Sequence, residues 1–89
     1  MKNKKIIINN KLGLHARAAA KFVRIASGFQ SEIMLHLGNR EVNGKSIMGI
    51  MMLAAGKGTE INIITIGPDE NEAMSSLEDL IINKFGEPE

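Results

Sequence analysis

Nine glycines scattered along 89 residues set the strongest constraint on how this chain can fold, because they cut it into short elements joined by tight turns. Gly13, Gly28, Gly38, Gly44, Gly56, Gly58, Gly67 and Gly86 punctuate the apolar runs. Between them, Lys4 to Asn9 holds an isoleucine run and predicts a strand, and Asn10 to His15 predicts a loop. Ala16 to Ser27 is alanine-rich and free of Gly and Pro, which favours a helix ended at Gly28. Its apolar positions Ala19, Phe22, Val23 and Ala26 fall on one face, leaving Arg17, Lys21 and Arg24 on a basic side.

Glu32 to Leu37 alternates, with Ile33, Leu35 and Leu37 facing one way and Met34 and His36 the other. Gly38-Asn39 turns the chain into a returning strand, Arg40 to Asn43. Gly44 breaks that strand, and Ser46 can cap a short helix running to about Leu53. Glu60 to Ile66 is β-prone, and Gly67-Pro68 turns again. Asp69 with Glu72 resembles a capping pair, and Ala73, Leu77, Leu80 and Ile81 mark the buried face of a last helix stopped by Gly86 and Pro88. The order β-α-β-β-α-β-α predicts a single α+β domain over residues 1–89: a four-stranded, mainly antiparallel sheet with three helices on one face. The face bearing Met34 and His36 is expected to meet solvent.

Composition removes several function classes. With no cysteine there is no disulfide framework and no thiolate metal site, and the two histidines lack carboxylates at ligand spacing, so neither metal nor cofactor is expected. Eleven Lys and Arg against ten Asp and Glu give a formal charge of +1, without the basic excess or stacking aromatics of a nucleic-acid binder. No apolar run approaches the ~20 residues of a membrane span. The basic start, Met1 to Lys5, leads only into Ile6 to Ile8, too short for a signal-peptide core, so a cytoplasmic protein is expected. Gly-Lys-Ser at 44–46 ends like a P-loop, but five residues separate Gly38 from Gly44 where that motif needs four. No hydrolase constellation is present.

Chemistry concentrates in Gly13-Leu14-His15-Ala16-Arg17, where a loop becomes a helix. Backbone N–H groups of a first helical turn lack intrahelical partners, and the helix dipole adds positive potential, so the place suits an anion. That field disfavours imidazolium and leaves a nucleophilic ring at His15. A phosphoryl group on the ring would meet those donors and the Arg17 guanidinium. Taken singly, His15 also reads as an ordinary surface residue at a helix start, and Arg17 as a solvated helix residue. Ser46, besides capping, stands where added negative charge is tolerated. Met48 and Met51, with Ile47, can form an outward apolar patch because Ile50 and Leu53 supply that helix with a core side.

Asn10 to Arg17 resembles the active-site segment of the HPr family of histidine-containing phosphocarriers, and Val42 to Gly49 resembles its second signature, around a regulatory serine. The resemblance covers essentially the whole chain. It implies an open-faced β-sandwich and phosphorylation of His15 at Nδ1. Arg17 would stabilise the phosphoryl group, and Ser46 would be the target of HPr kinase/phosphorylase. Ile47, Met48 and Met51 match its apolar docking surface, while the basic residues Lys21 and Arg24 are read as a docking face for acidic partners. The partners implied are Enzyme I as donor and A-type sugar-transport components as acceptors, the protein being a carrier rather than an enzyme. One departure stands out: Ala18 occupies a place where the family usually has proline. The alternatives are a nitrogen-branch carrier of the same family and a purely regulatory module controlled through Ser46.

Overall fold

The computed structural model describes residues 1–89. It contains strand β1 (Lys2–Ile7), helix α1 (Ala16–Ala26), strands β2 (Glu32–Leu37) and β3 (Arg40–Asn43), helix α2 (Ile47–Met52), strand β4 (Glu60–Ile66) and helix α3 (Glu70–Ile82). A 3₁₀ turn, Lys84–Gly86, follows. The sheet order is β1-β4-β2-β3, with every neighbouring pair antiparallel. Because β1 and β2 both run against β4, which lies between them, β1-α1-β2 is a split crossover unit. The unit β3-α2-β4 is another, interleaved with the first.

Alternation in β4 shows how the sequence selects the layers. Ile61, Ile63 and Thr65 point into the core, and Asn62 and Ile64 stand half-buried on the open face. The buried Thr65 hydroxyl donates to the Glu70 carbonyl (3.0 Å), so its burial leaves no orphan group. Nineteen buried apolar residues form one cluster between sheet and helices, built on Ile8, Phe22, Leu35, Ile50, Ile63, Leu77, Ile81 and their neighbours. The expected α+β architecture and element order are therefore present. The two sheet edges are β1, which carries Lys2, Lys4 and Lys5, and β3, which is only four residues long.

Several boundaries differ from the sequence-based expectation. β1 lies two residues earlier than expected, and Ile8 and Asn9 fall after the strand instead of within it. Gly28 lies just past the end of α1, as expected, though its backbone is not left-handed. Ser27 closes the helix in a right-handed conformation with its N–H on Val23, and Gly28 is absent from the positive-φ residues. Asp69 precedes α3, but its carboxylate makes no cap bond there. It reaches instead to Gln30 N (2.9 Å), Ser31 N (2.9 Å) and Ser31 Oγ (2.5 Å), stapling the start of α3 to the segment ahead of β2. Those three donors hold the Asp69 carboxyl below its ordinary range, the Ser31 hydroxyl contributing most.

The end of the chain also departs from expectation. Residues after α3 do not simply stop: Lys84 and Phe85 take positive φ (55° and 57°), followed by Gly86 at 76°. Left-handed backbone at each non-glycine residue costs about 1–2 kcal/mol. Burying the Phe85 side chain, which is 1 % exposed, returns about 1.5–3 kcal/mol. The turn reverses the chain and carries residues 87–89 back over the loop ahead of α1.

Candidate functional site

The loop ahead of α1 is fixed from both sides. Leu14 N donates to Ala55 O (2.9 Å), and Gly13 N to Asn10 O (3.2 Å). Gly13 sits at φ 67°, and a β-carbon there would lie 2.5 Å from Ala55 O and 2.7 Å from Gly56 Cα. Only glycine meets both demands. The wholly buried Asn10 side chain donates to Gly13 O (2.9 Å), and Leu14 is buried as an anchor. These contacts deliver His15 to the capping position of α1 in extended conformation (φ −77°, ψ 177°).

His15 makes no side-chain bond to the helix it precedes. Its carbonyl accepts from Ala19 N (2.8 Å), as a capping residue should, while the N–H groups of Ala16, Arg17 and Ala18 donate to no protein acceptor. Three backbone donors and the positive end of the dipole thus remain unspent beside a partly exposed imidazole, 23 % accessible at its side chain. Arg17 is exposed and forms no ion pair. It lines a shallow depression with Lys11, Leu12, Glu87, Pro88 and Glu89.

Glu87 is the residue that sequence reasoning missed. Its Oε2 lies 2.6 Å from His15 Nε2, and its Oε1 accepts from Asn10 Nδ2 (3.0 Å). The Glu87 carboxyl is held below the ordinary glutamate range, first by the Asn10 amide and further by His15 and Lys21, against the opposing effect of burial. Nothing local in Gly86-Glu87-Pro88-Glu89 signals this contact, which depends on the left-handed turn at Phe85.

The second signature is built differently. Gly44 packs so closely on β2 that a β-carbon would lie 2.5 Å from Ile33 Cγ2, and Gly44 N donates to Ile33 O (2.6 Å). Asn43 Oδ1 accepts from Lys45 N (2.8 Å), an Asx turn, and Lys45 Nζ reaches Phe29 O (2.7 Å). The turn leaves Ser46 at the capping position of α2, its Oγ accepting from Gly49 N (3.0 Å), as expected for a cap. Ile47, Met48 and Met51 are exposed, Met48 by 75 %, and Met52 joins them, while Ile50 and Leu53 are buried. The two helices pack on each other. Arg24 is exposed, but Lys21 is committed, its ammonium 2.6 Å from Phe85 O. Ala18 is wholly buried, and because its N–H has no acceptor, a proline there would forfeit no hydrogen bond. No cluster of side chains suited to a metal is present, and no helix is long and apolar enough to cross a membrane.

Fold and site together define a small phosphocarrier domain, with a histidine presented at an uncapped helix start on an open-faced sandwich. The family model for the PTS HPr component phosphorylation site matches residues 2–83, and the chain belongs to the HPr family of phosphotransferase-system phosphocarriers. It is 57 % identical over 89 residues to the phosphocarrier protein HPr of Neisseria meningitidis, covering all of both chains. It is 55 % identical over 82 residues to that of Cupriavidus necator, covering 92 % of each. Among solved structures, HPr from Thermoanaerobacter tengcongensis superposes with a TM-score of 0.96 at 50 % identity over the whole of both chains. The catabolite repression HPr of Bacillus subtilis, Crh, superposes less closely in its solution structure. Its TM-score is 0.66 at 42 % identity, over 90 % of this chain and 95 % of that one.

Proposed function

We propose that His15 accepts a phosphoryl group from phosphorylated Enzyme I and passes it to A-type components of sugar transport, in the cytoplasm. The observation that supports this most is the uncapped start of α1: a histidine in the capping position that leaves three first-turn amides free for phosphoryl oxygens. The lone pair of Nδ1 attacks phosphorus, the P–N bond forms, and the bond from phosphorus to the donor breaks with its electron pair. Arg17, unpaired at the rim, neutralises the incoming charge. The chain carries the group rather than turning over a substrate. Phosphorylation of Ser46 by HPr kinase/phosphorylase would place negative charge beside the exposed Ile47, Met48 and Met51, and so weaken docking of the donor.

Incubation with phosphoenolpyruvate and Enzyme I, followed by mass measurement, tests the reading. The expected result is one acid-labile phosphoryl group, absent in His15→Ala. No adduct with a competent donor would overturn the carrier reading in favour of a regulatory module centred on Ser46. Ser46→Asp is expected to slow transfer from Enzyme I, and unchanged donor kinetics would remove the regulatory part.

A further inference from the structure

The residues after α3 do something that neither the fold nor the carrier reading requires: they return to the imidazole. Backbone and side-chain contacts hold them there, among them a Lys11 Nζ–Glu89 Oε2 ion pair (3.3 Å). Lys21 Nζ grips Phe85 O (2.6 Å), Lys11 N donates to Glu89 O (3.1 Å), and Asn10 Nδ2 donates to Glu87 Oε1 (3.0 Å). The left-handed turn at Lys84-Phe85-Gly86 that directs them is costly in backbone terms, so its geometry is held by packing rather than by preference. At its end the Glu87 side chain is 11 % accessible, with Oε2 2.6 Å from His15 Nε2.

We propose that Glu87 is a positioning residue for His15: its carboxylate accepts a hydrogen bond from Nε2–H, orients the ring and leaves Nδ1 as the nitrogen with a free lone pair. This rests on the reading of His15 as the phosphoryl acceptor. A carboxylate has only acceptors to offer, so the contact requires the proton on Nε2. Glu87 is kept ionised by Asn10 and by its cationic surroundings, Lys21 on α1 among them. The same pairing of acceptor and imidazole orients histidines in metal sites and hydrolase triads. During transfer, electron density leaves the ring as the P–Nδ1 bond forms. The positive charge that develops is met at Nε2–H by the carboxylate, and the donor keeps the electron pair of the bond that breaks. Free rotation of the imidazole is removed before the donor arrives, which is the entropic part of the effect.

The test joins a spectroscopic measurement to a kinetic one. In wild-type protein the His15 Nε2–H proton is expected as a slowly exchanging, downfield NMR signal. Glu87→Ala should abolish it and lower the rate of phosphoryl transfer from Enzyme I about tenfold, the cost typical of losing an orienting acceptor, with the KM for the carrier unchanged. Glu87→Gln keeps an oxygen and loses the charge, so it should fall between the two. A thermal melt of each variant separates these effects from unfolding. A signal absent from wild type, a signal unchanged in Glu87→Ala, or transfer at the wild-type rate would each overturn the proposal. Failure of the wild-type chain to be phosphorylated would instead remove the carrier reading, while the NMR signal still reports whether Glu87 holds the ring.

Discussion

At the start of α1, the capping position holds His15, whose side chain makes no bond to the helix; at the start of α2, it holds Ser46, whose hydroxyl accepts from Gly49 N. Both positions are reached through a glycine pressed against neighbouring atoms, Gly13 against residues 55–56 and Gly44 against Ile33. The approach is therefore alike and the use opposite. One end uses its side chain for stability. The other leaves its backbone donors unsatisfied and turns its side chain toward Glu87. The difference teaches that a helix start can be a fastening or a receptor for an anion, according to whether the capping side chain completes it.

Substitutions at the two ends can break this contrast, beginning with the largest. Gly13→Ala should destabilise the fold by at least about 2 kcal/mol, combining left-handed strain with a backbone clash, and should depress phosphoryl acceptance because His15 moves with the loop. Gly56→Ala nearby, where a β-carbon meets nothing within 4 Å, is the matched control, and equal melting of the two would contradict the account. Ser46→Ala should cost about 1 kcal/mol by loss of the cap while leaving acceptance at His15 intact, measured by denaturant unfolding and by mass.

A smaller effect is expected in acid. Asp69 has a folded value below its ordinary 3.8, so its contribution is full above that value and is lost as pH falls through the lower, folded one. The stability gap between wild type and Asp69→Asn should therefore narrow as melts are taken from neutral pH to below 3.8. A gap independent of pH would show that the staple to Ser31 owes nothing to charge. Smallest is the docking charge. With Lys21 tied to Phe85 O, Arg24 is the exposed cation of the pair, and Arg24→Ala should weaken Enzyme I affinity only about two- to threefold, less at high ionic strength. A salt-independent loss would point to packing instead.

Much of this architecture is legible in the sequence. Alternation in Glu32 to Leu37 and the isoleucines of β4 dictate the buried face because a two-residue period leaves no choice of side. His15 and Ser46 were legible because helix starts select polar residues after glycine-bearing loops. What could not be read was set by tertiary partners. Asp69 looked like a cap, yet it bonds Ser31, which lies 38 residues away in the chain. Met74 is buried and Leu80 only partly so, a shift of the helix face decided by contact with β4 and β1. Glu87 was hidden most thoroughly, since its place depends on two non-glycine residues adopting a conformation no propensity favours.

The margins of the sheet carry one more implication. An open sheet offers unpaired backbone along both borders as a template for self-association. Here one border is lined with lysines and the other is cut to four residues, two arrangements that discourage strand-to-strand addition. The same sheet that builds the platform for His15 is thereby made a poor template for strand addition.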